Sequence, residues 1–275
     1  MALDVFREAN RKNWNDRVPG HLKAWGYNVA GFLDDPKYIS GGIESQISEM
    51  GNVEGKSLLH LMCQFGTDAL SWARLGATVT GIDFSAEAIT AAKKLFSDTD
   101  TPGRFYLAEL YESRSVLDET FDIVYTGGGA LCWLPDIKGW AKVMSDFLKP
   151  GGTFYINDSH PVMLSLDLGR DDKLLSITRN YFETEEPESF DEATSYAGTS
   201  TISNSSHFMW NHGIGEITTA LIDAGLRIEY VREFPYIGWQ GVPALEKPDD
   251  AEWWELPTDR ARLPLSFSIR AVKEA

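Results

Sequence analysis

Cysteine is scarce in this chain. Its two thiols, Cys63 and Cys132, form no C-x-x-C pair and no zinc-like spacing. A disulfide scaffold is excluded, no metal site is expected, and both read as free thiols in a reducing compartment. Basic residues are also short: 25 Lys and Arg stand against 41 Asp and Glu, for a formal charge of −16. Such a surface repels phosphate backbones, so nucleic acid is excluded as a partner, and neutral or cationic small molecules are favoured. No apolar run approaches the roughly 20 residues of a membrane span. The chain opens onto Asp4, Arg7 and Glu8 without an apolar signal segment, so a cytoplasmic protein with no membrane contact is expected. Internal repeats and low-complexity tracts are missing too.

What is present is an ordinary globular composition, 43% hydrophobic and 24% charged over 275 residues. That length suits one large α/β domain with an insertion, or two small domains, as a monomer or homodimer. The organising stretch is 56–70, which reads as a short buried strand, a sharp loop and a helix. Residues 76–83 then form a second strand closing on Asp83, 17 positions after Gly66. A strand–loop–helix–strand unit of this kind lets a parallel sheet grip a nucleoside: the helix start takes the polar part, and the acid accepts from ribose hydroxyls.

Residues 1–50 read as a helical lid, with Val5, Phe6 and Ala9 at helical spacing and Trp14 extending the stripe. Trp14, His21, Trp25 and Tyr27 either pack this segment onto the main domain or close over a ligand. In the core, 51–162, Ser85 caps a helix over 86–96 with Lys93 and Lys94 in its last turn. Strands follow at 104–108, ending at Glu109, and at 121–126, running into Gly127, Gly128 and Gly129. Asp136 caps the next helix, which Pro150, Gly151 and Gly152 stop before a fifth strand at 153–157. Alternating strands and amphipathic helices predict a parallel sheet with helices on both faces. Residues 163–208 read as an inserted cap, with acidic blocks at 167–172 and 183–192 and strand-like pieces at 174–182 and 195–208. A helix stopped by Gly225 and strands at 226–233 and 265–271 complete the sheet within 209–275.

Taken together, His60 to Gly66, the Leu70-Ser71-Trp72-Ala73-Arg74-Leu75-Gly76-Ala77 run, 79–85, 124–137 and Pro150-Gly151-Gly152 carry a resemblance. The chain resembles the class I S-adenosylmethionine-dependent methyltransferases, in their small-molecule branch. The likeness is firm over 55–160 and looser over 210–224 and 263–271. It implies a Rossmann-like, seven-stranded, mostly parallel sheet with an antiparallel last strand, and S-adenosylmethionine as cofactor. One departure stands out. The family's acid-x-Gly-x-Gly-x-Gly loop reads here His60, Met62, Gln64 and Gly66 at those positions. Side chains at 62 and 64 disfavour φ > 0. The backbone is therefore expected to stay in ordinary regions or the ligand to sit further away, with the Gln64 amide replacing lost backbone contacts.

The resemblance also implies residue roles. Asp83 is placed as the ribose-binding acid and Phe84 against the adenine. Glu109 is placed on the adenine amino group, with Leu110 flanking the ring. Thr126 and Gly127 would offer backbone carbonyls to the methionine ammonium and sulfonium, and His60 a cofactor-side contact. Methyl transfer needs in-line positioning above all; a hydroxyl or carbon nucleophile also needs a base. His160, at the end of the fifth strand, and His212, in the turn after the cap, are the candidate bases. Trp14, Tyr27, Trp133 and Trp210 are the candidate walls of an aromatic acceptor cavity, suited to a flat, hydrophobic or cationic molecule; O-, N- and C-nucleophiles stay open. Two alternatives share the motif. A non-catalytic adenosylmethionine-binding module tolerates the missing glycines. A nicotinamide-dependent reductase calls for more loop glycines and, in the short-chain type, a Tyr-x-x-x-Lys pair that the chain lacks.

Overall fold

The computed structural model describes residues 4–170, 172–197, 200–249 and 251–274. Asp171 of the first acidic block and residues 198–199 of the second strand-like piece lie outside the described residues. Four helices come first: α1 (Val5–His21), α2 (Val29–Asp34), α3 (Gly41–Glu44) and α4 (Ile47–Met50). The core runs β1 (Ser57–Leu61), α5 (Thr67–Arg74), β2 (Thr78–Asp83), α6 (Ala86–Asp98), β3 (Arg104–Leu107), β4 (Phe121–Gly127), α7 (Ile137–Phe147) and β5 (Leu148–Ser159). After it come α8 (Pro161–Leu164), β6 (Glu188–Asp191), β7 (Ser206–Met209), α9 (Ile214–Asp223), β8 (Leu226–Phe234), β9 (Tyr236–Ile237), β10 (Trp254–Glu255) and β11 (Ser266–Lys273). Among the described residues no helix is long and apolar enough to cross a membrane.

Seven strands form one sheet in the order β3-β2-β1-β4-β5-β11-β8. Strand β1 pairs in parallel with β2 on one side and β4 on the other, and β11 runs antiparallel between β5 and β8. The chain reverses direction across the sheet between β1 and β4, and a crevice opens there at the carboxyl ends of the strands. Both faces are covered, so the central strands are apolar on both sides. Leu58, Val79, Ile123 and Tyr125 meet Leu70, Trp72, Ile89 and Phe96 on one face. Leu59, Leu61, Val124 and Phe154 meet Trp140, Met144, Phe147 and Leu221 on the other. Ser85 and Asp136 cap α6 and α7 by accepting from Ala88 N and Gly139 N.

Three local expectations change. Helix α6 runs on to Asp98, so Lys93 and Lys94 lie inside it rather than in its last turn. In the cap, β6 falls inside the acidic block, where it pairs antiparallel with β7, and 174–182 contributes only an isolated bridge, Leu166 to Ile177. Phe190 of β6 stacks on His207 at 5.2 Å beneath the Arg179 guanidinium, and Glu188 pairs with Arg179 at 2.6 Å. Those contacts override the weak strand propensity of an acidic segment. Helix α1 does not bury the Val5 stripe, as Val5 is 73% exposed. It buries Asn10, Asn13, Arg17, Val18 and His21 instead. Asn10 bonds both the carbonyl and the amide of Phe208 at 2.8 Å, and Asn13 reaches Asn204 O at 2.7 Å. The helix thus lies across the cap through a polar face.

Candidate active site

A cavity of about 180 Å³ lies at the carboxyl ends of β1, β2 and β4. His60, Met62, Gln64, Asp83, Phe84, Glu109, Leu110 and Gly127 line it, as do Trp14, Tyr27 and Trp133. The structure thus brings most of the sequence-derived candidates together around one space. Tyr196 of the cap joins them, as do Arg7 and Asp68, neither of which sequence reasoning singled out.

The loop after β1 adopts what its side chains disfavour. Met62 and Gln64 have φ of 59° and 51°, against the expectation of ordinary backbone. Each costs roughly 1–2 kcal/mol relative to glycine. The surroundings hold the loop in place: Gln64 N donates to Asp83 Oδ2 at 2.8 Å. The Gln64 amide is engaged with the lid, donating to Tyr27 Oη at 3.1 Å and to His21 Nδ1 at 3.2 Å. Gly66, at φ 83°, is the N-cap of α5 and supports the loop from outside the cavity.

Asp83 closes β2 with both oxygens engaged, Oδ2 by Gln64 N and Oδ1 by Ser85 N at 2.8 Å. Burial nonetheless pushes its carboxyl up to about 6, and does the same to Asp68 in the first turn of α5. His60 is buried with Nδ1 unpartnered, and desolvation pulls its imidazole down to about 3, so it is neutral. Glu109 is held at both oxygens: Arg7 Nη1 lies 3.1 Å from Oε1, and Tyr111 N donates to Oε2 at 2.7 Å. Burial raises the Glu109 pKa and Arg7 opposes the rise. The Arg7–Glu109 pair and the Ser85 to Asn15 bond at 2.7 Å fasten α1 over the cavity mouth.

The glycine run after β4 is shaped by a residue that sequence reasoning missed. Asp158, buried near the end of β5, accepts from the backbone N–H of Gly129, Ala130 and Leu131 at 2.8, 3.0 and 3.1 Å. Its only sequence signal was a carboxylate closing the strand next to the run. A Cβ at Gly127 would lie 2.3 Å from Asn157 O, so only glycine fits where this strand end approaches its neighbour.

Other candidates fall elsewhere. Thr126 is buried behind the lining, and Trp210 packs edge-on to Phe6 at 6.2 Å without reaching the cavity. Neither candidate base lines it. His160 is the N-cap of α8, accepting from Val162 N at Nδ1, while Nε2 faces Glu233 at 2.8 Å. Both ring nitrogens are committed to structure, and burial lowers its pKa. His212 Nε2 donates to Leu134 O at 2.8 Å, and its Nδ1 faces Glu183 and Glu216. The structure therefore places both histidines away from the cavity, in structural contacts.

An open α/β sheet with its crevice at the switch point, both faces covered and one antiparallel strand next to the edge, defines the class. An S-adenosylmethionine-dependent methyltransferase from Listeria monocytogenes superposes with a TM-score of 0.58 at 19% identity, covering 85% of this chain and 97% of that one. One from Mesorhizobium loti does so at 0.56 and 22%, covering 89% and 100%. These likenesses establish the fold. Residues 58–152 match a family model described as a methyltransferase domain. That segment is therefore similar to a methyltransferase domain, set in a chain whose fold is that of the class I S-adenosylmethionine-dependent methyltransferases. Among curated relatives, a ubiquinone biosynthesis O-methyltransferase from Hydrogenovibrio crunogenus is 29% identical over 111 residues, 40% of this chain and 46% of that protein. Its counterpart from Albidiferax ferrireducens is 31% identical over 112 residues, 40% and 44% of the two chains. The chain thus matches less than half the length of these relatives.

Proposed function

We propose that the protein transfers a methyl group from S-adenosylmethionine to a small acceptor that carries its own negative charge, held beneath the α1 lid. The observation that carries this reading is a cavity walled by Asp83, Glu109, the glycine run and the rings of Trp14, Tyr27 and Trp133. The residues suit the cofactor. Asp83 has free lone pairs for ribose hydroxyls, and Glu109 can accept from the adenine amino group. Where the family's loop acid gives way to neutral His60, Asp68 lines the same space and can meet the methionine ammonium. Bound there, S-adenosylmethionine supplies an electrophilic methyl on a sulfonium that departs as a neutral thioether. The chain's part is alignment of the acceptor and exclusion of water.

Arg17 supports the acceptor class. It is 3% exposed, makes one hydrogen bond, Nε to Asn13 Oδ1 at 2.6 Å, and leaves Nη2 buried without a partner. Among the described residues no carboxylate pairs with it. Its guanidinium does not itself line the cavity but lies behind that lining, over the rings of Trp14 and Trp133 at 5.6 and 5.7 Å, both walls of the cavity. An uncompensated buried guanidinium, which stays charged, recognises a phenolate, enolate or carboxylate. That disfavours the cationic amine the aromatic walls suggested. An acceptor arriving as an anion also needs no histidine base. The relatives' matched segments cover only 40% of this chain, so the acceptor rests on Arg17 and not on their names. The two free, buried cysteines suit a reducing cytoplasm.

Calorimetry tests the cofactor: S-adenosylhomocysteine should bind tightly and NADPH should not. Binding of NADPH alone would contradict the assignment. Binding of S-adenosylhomocysteine with no turnover of any anionic acceptor would favour the non-catalytic module that the loop departure allows. With an anionic acceptor in hand, Arg17→Met should raise KM more than tenfold and leave cofactor affinity unchanged.

A further inference from the structure

We propose that Glu183, His212 and Glu216 form a site for a divalent transition-metal ion that clamps the cap onto the core. Leu134 O can only accept, so His212 Nε2 at 2.8 Å must carry the proton. The neutral ring then presents a lone pair at Nδ1. That atom is buried without a hydrogen-bond partner, in a residue only 3% exposed. It points at Glu216 Oε2, 3.5 Å away, and Glu183 Oε2, 3.8 Å away. All three atoms lie within 4.8 Å of one another.

Three acceptor atoms thus converge, and the one donor among them is a proton shared by the two carboxyls, since burial and the neighbouring Glu216 push Glu183 up to about 7; the His212 Nδ1 lone pair stays unpartnered. A protonated imidazole would not resolve this, because 3.5 and 3.8 Å are too long for hydrogen bonds. Among the described residues neither carboxylate pairs with a lysine or arginine. A cation at the centre displaces that proton and satisfies all three, the imidazole nitrogen included. Ligands about 2.1 Å from a tetrahedral ion sit roughly 3.4 Å apart, close to the spacing seen. The Nε2–H bond to a backbone carbonyl is the partner that fixes a metal-binding imidazole in orientation and tautomer. One histidine and two carboxylates, with a position left for water, suit Zn²⁺ or Mn²⁺ better than Mg²⁺.

The position gives the ion its role. Glu183 comes from the cap, while His212 and Glu216 come from the turn into α9 and its first turn. Leu134, which orients the ring, lines the cavity. The ion would therefore tie the cap to the floor of the acceptor space and hold the cap loop closed, without touching the reacting atoms.

The test is calorimetric titration of untagged, chelator-treated protein with ZnCl₂ and with MnCl₂, followed by thermal melts. One ion should bind per chain with micromolar or tighter affinity and raise the melting temperature. Glu183→Gln and Glu216→Gln, conservative changes at partly exposed positions, should each weaken binding at least tenfold. Anomalous scattering at the metal's absorption edge should place the ion within about 2.5 Å of His212 Nδ1. Failure to take up either ion, uptake indifferent to both substitutions, or an anomalous peak elsewhere would overturn the proposal. Each of these outcomes is independent of methyltransferase activity.

Discussion

Replacing Asp83 with asparagine separates the residue's two jobs. Its carboxylate accepts from Gln64 N and Ser85 N on different oxygens, both at 2.8 Å. An amide keeps one acceptor and turns its NH₂ toward the other N–H. One buried donor is left unsatisfied, worth roughly 1–3 kcal/mol, and the strained backbone at Gln64 loses its tether. Removal of a buried charge, whose pKa desolvation raises to about 6, offsets part of that. The net is a destabilisation of about 1 kcal/mol, a melting shift of about 2–4 °C for a chain of this size. Cofactor binding suffers more. Losing one charge-assisted bond to the ribose costs about 1.5–3 kcal/mol, or roughly 10–150-fold in affinity. Titration calorimetry with S-adenosylhomocysteine and a thermal melt measure both quantities. Affinity within threefold of the parent protein would refute the ribose assignment, whatever the melt shows.

Other perturbations probe the rest of the site. The carboxyls of Asp83 and Asp68, raised by burial to about 6, are ionised above that pH and protonate as it falls. S-adenosylhomocysteine affinity should therefore be flat above pH 7 and drop below 6, by up to about tenfold per unit for each group; a flat profile from pH 5 to 7.5 would contradict it. Gly127→Ala puts a Cβ 2.3 Å from Asn157 O and should reduce cofactor affinity at least tenfold with circular dichroism unchanged. Parent-like binding would show that the strand end is not part of the site. His160→Ala removes the α8 cap and should lower stability by about 1–2 kcal/mol while leaving kcat unchanged. A tenfold fall in kcat without a melting shift would restore His160 to the chemistry.

The parallel core was legible because its signals are local. Leu58, Leu59 and Leu61 make a strand apolar at three of its five positions, Ser85 and Asp136 sit where helix caps belong, and Asp83 closes a strand at the expected interval from Gly66. The lid and the cap were not, because their folding depends on distant partners. Asn10, Asn13 and Arg17 recur at helical spacing with His21 but carry no apolar signal, and only His21 stood out in the sequence as a group that packs or closes. They are buried only because Phe208, Asn204 and Ser195 receive them. Arg7 meets Glu109, and Asp158 meets the glycine run, across separations that periodicity cannot reveal. The loop conformation at Met62 and Gln64 defeats residue preference outright, since tethering by Asp83 and the lid outweighs a strain of about 1–2 kcal/mol per residue. The two candidate histidines lie away from the cavity for a related reason: position at a strand end does not say what a ring nitrogen already binds.

The most direct measurement is a crystal structure of the complex with S-adenosylhomocysteine. The ribose should rest on the Asp83 carboxylate and the adenine beside Glu109, with the sulfur turned toward Trp14 and Trp133. A nucleoside found outside the space between those two acids would contradict the account at its centre.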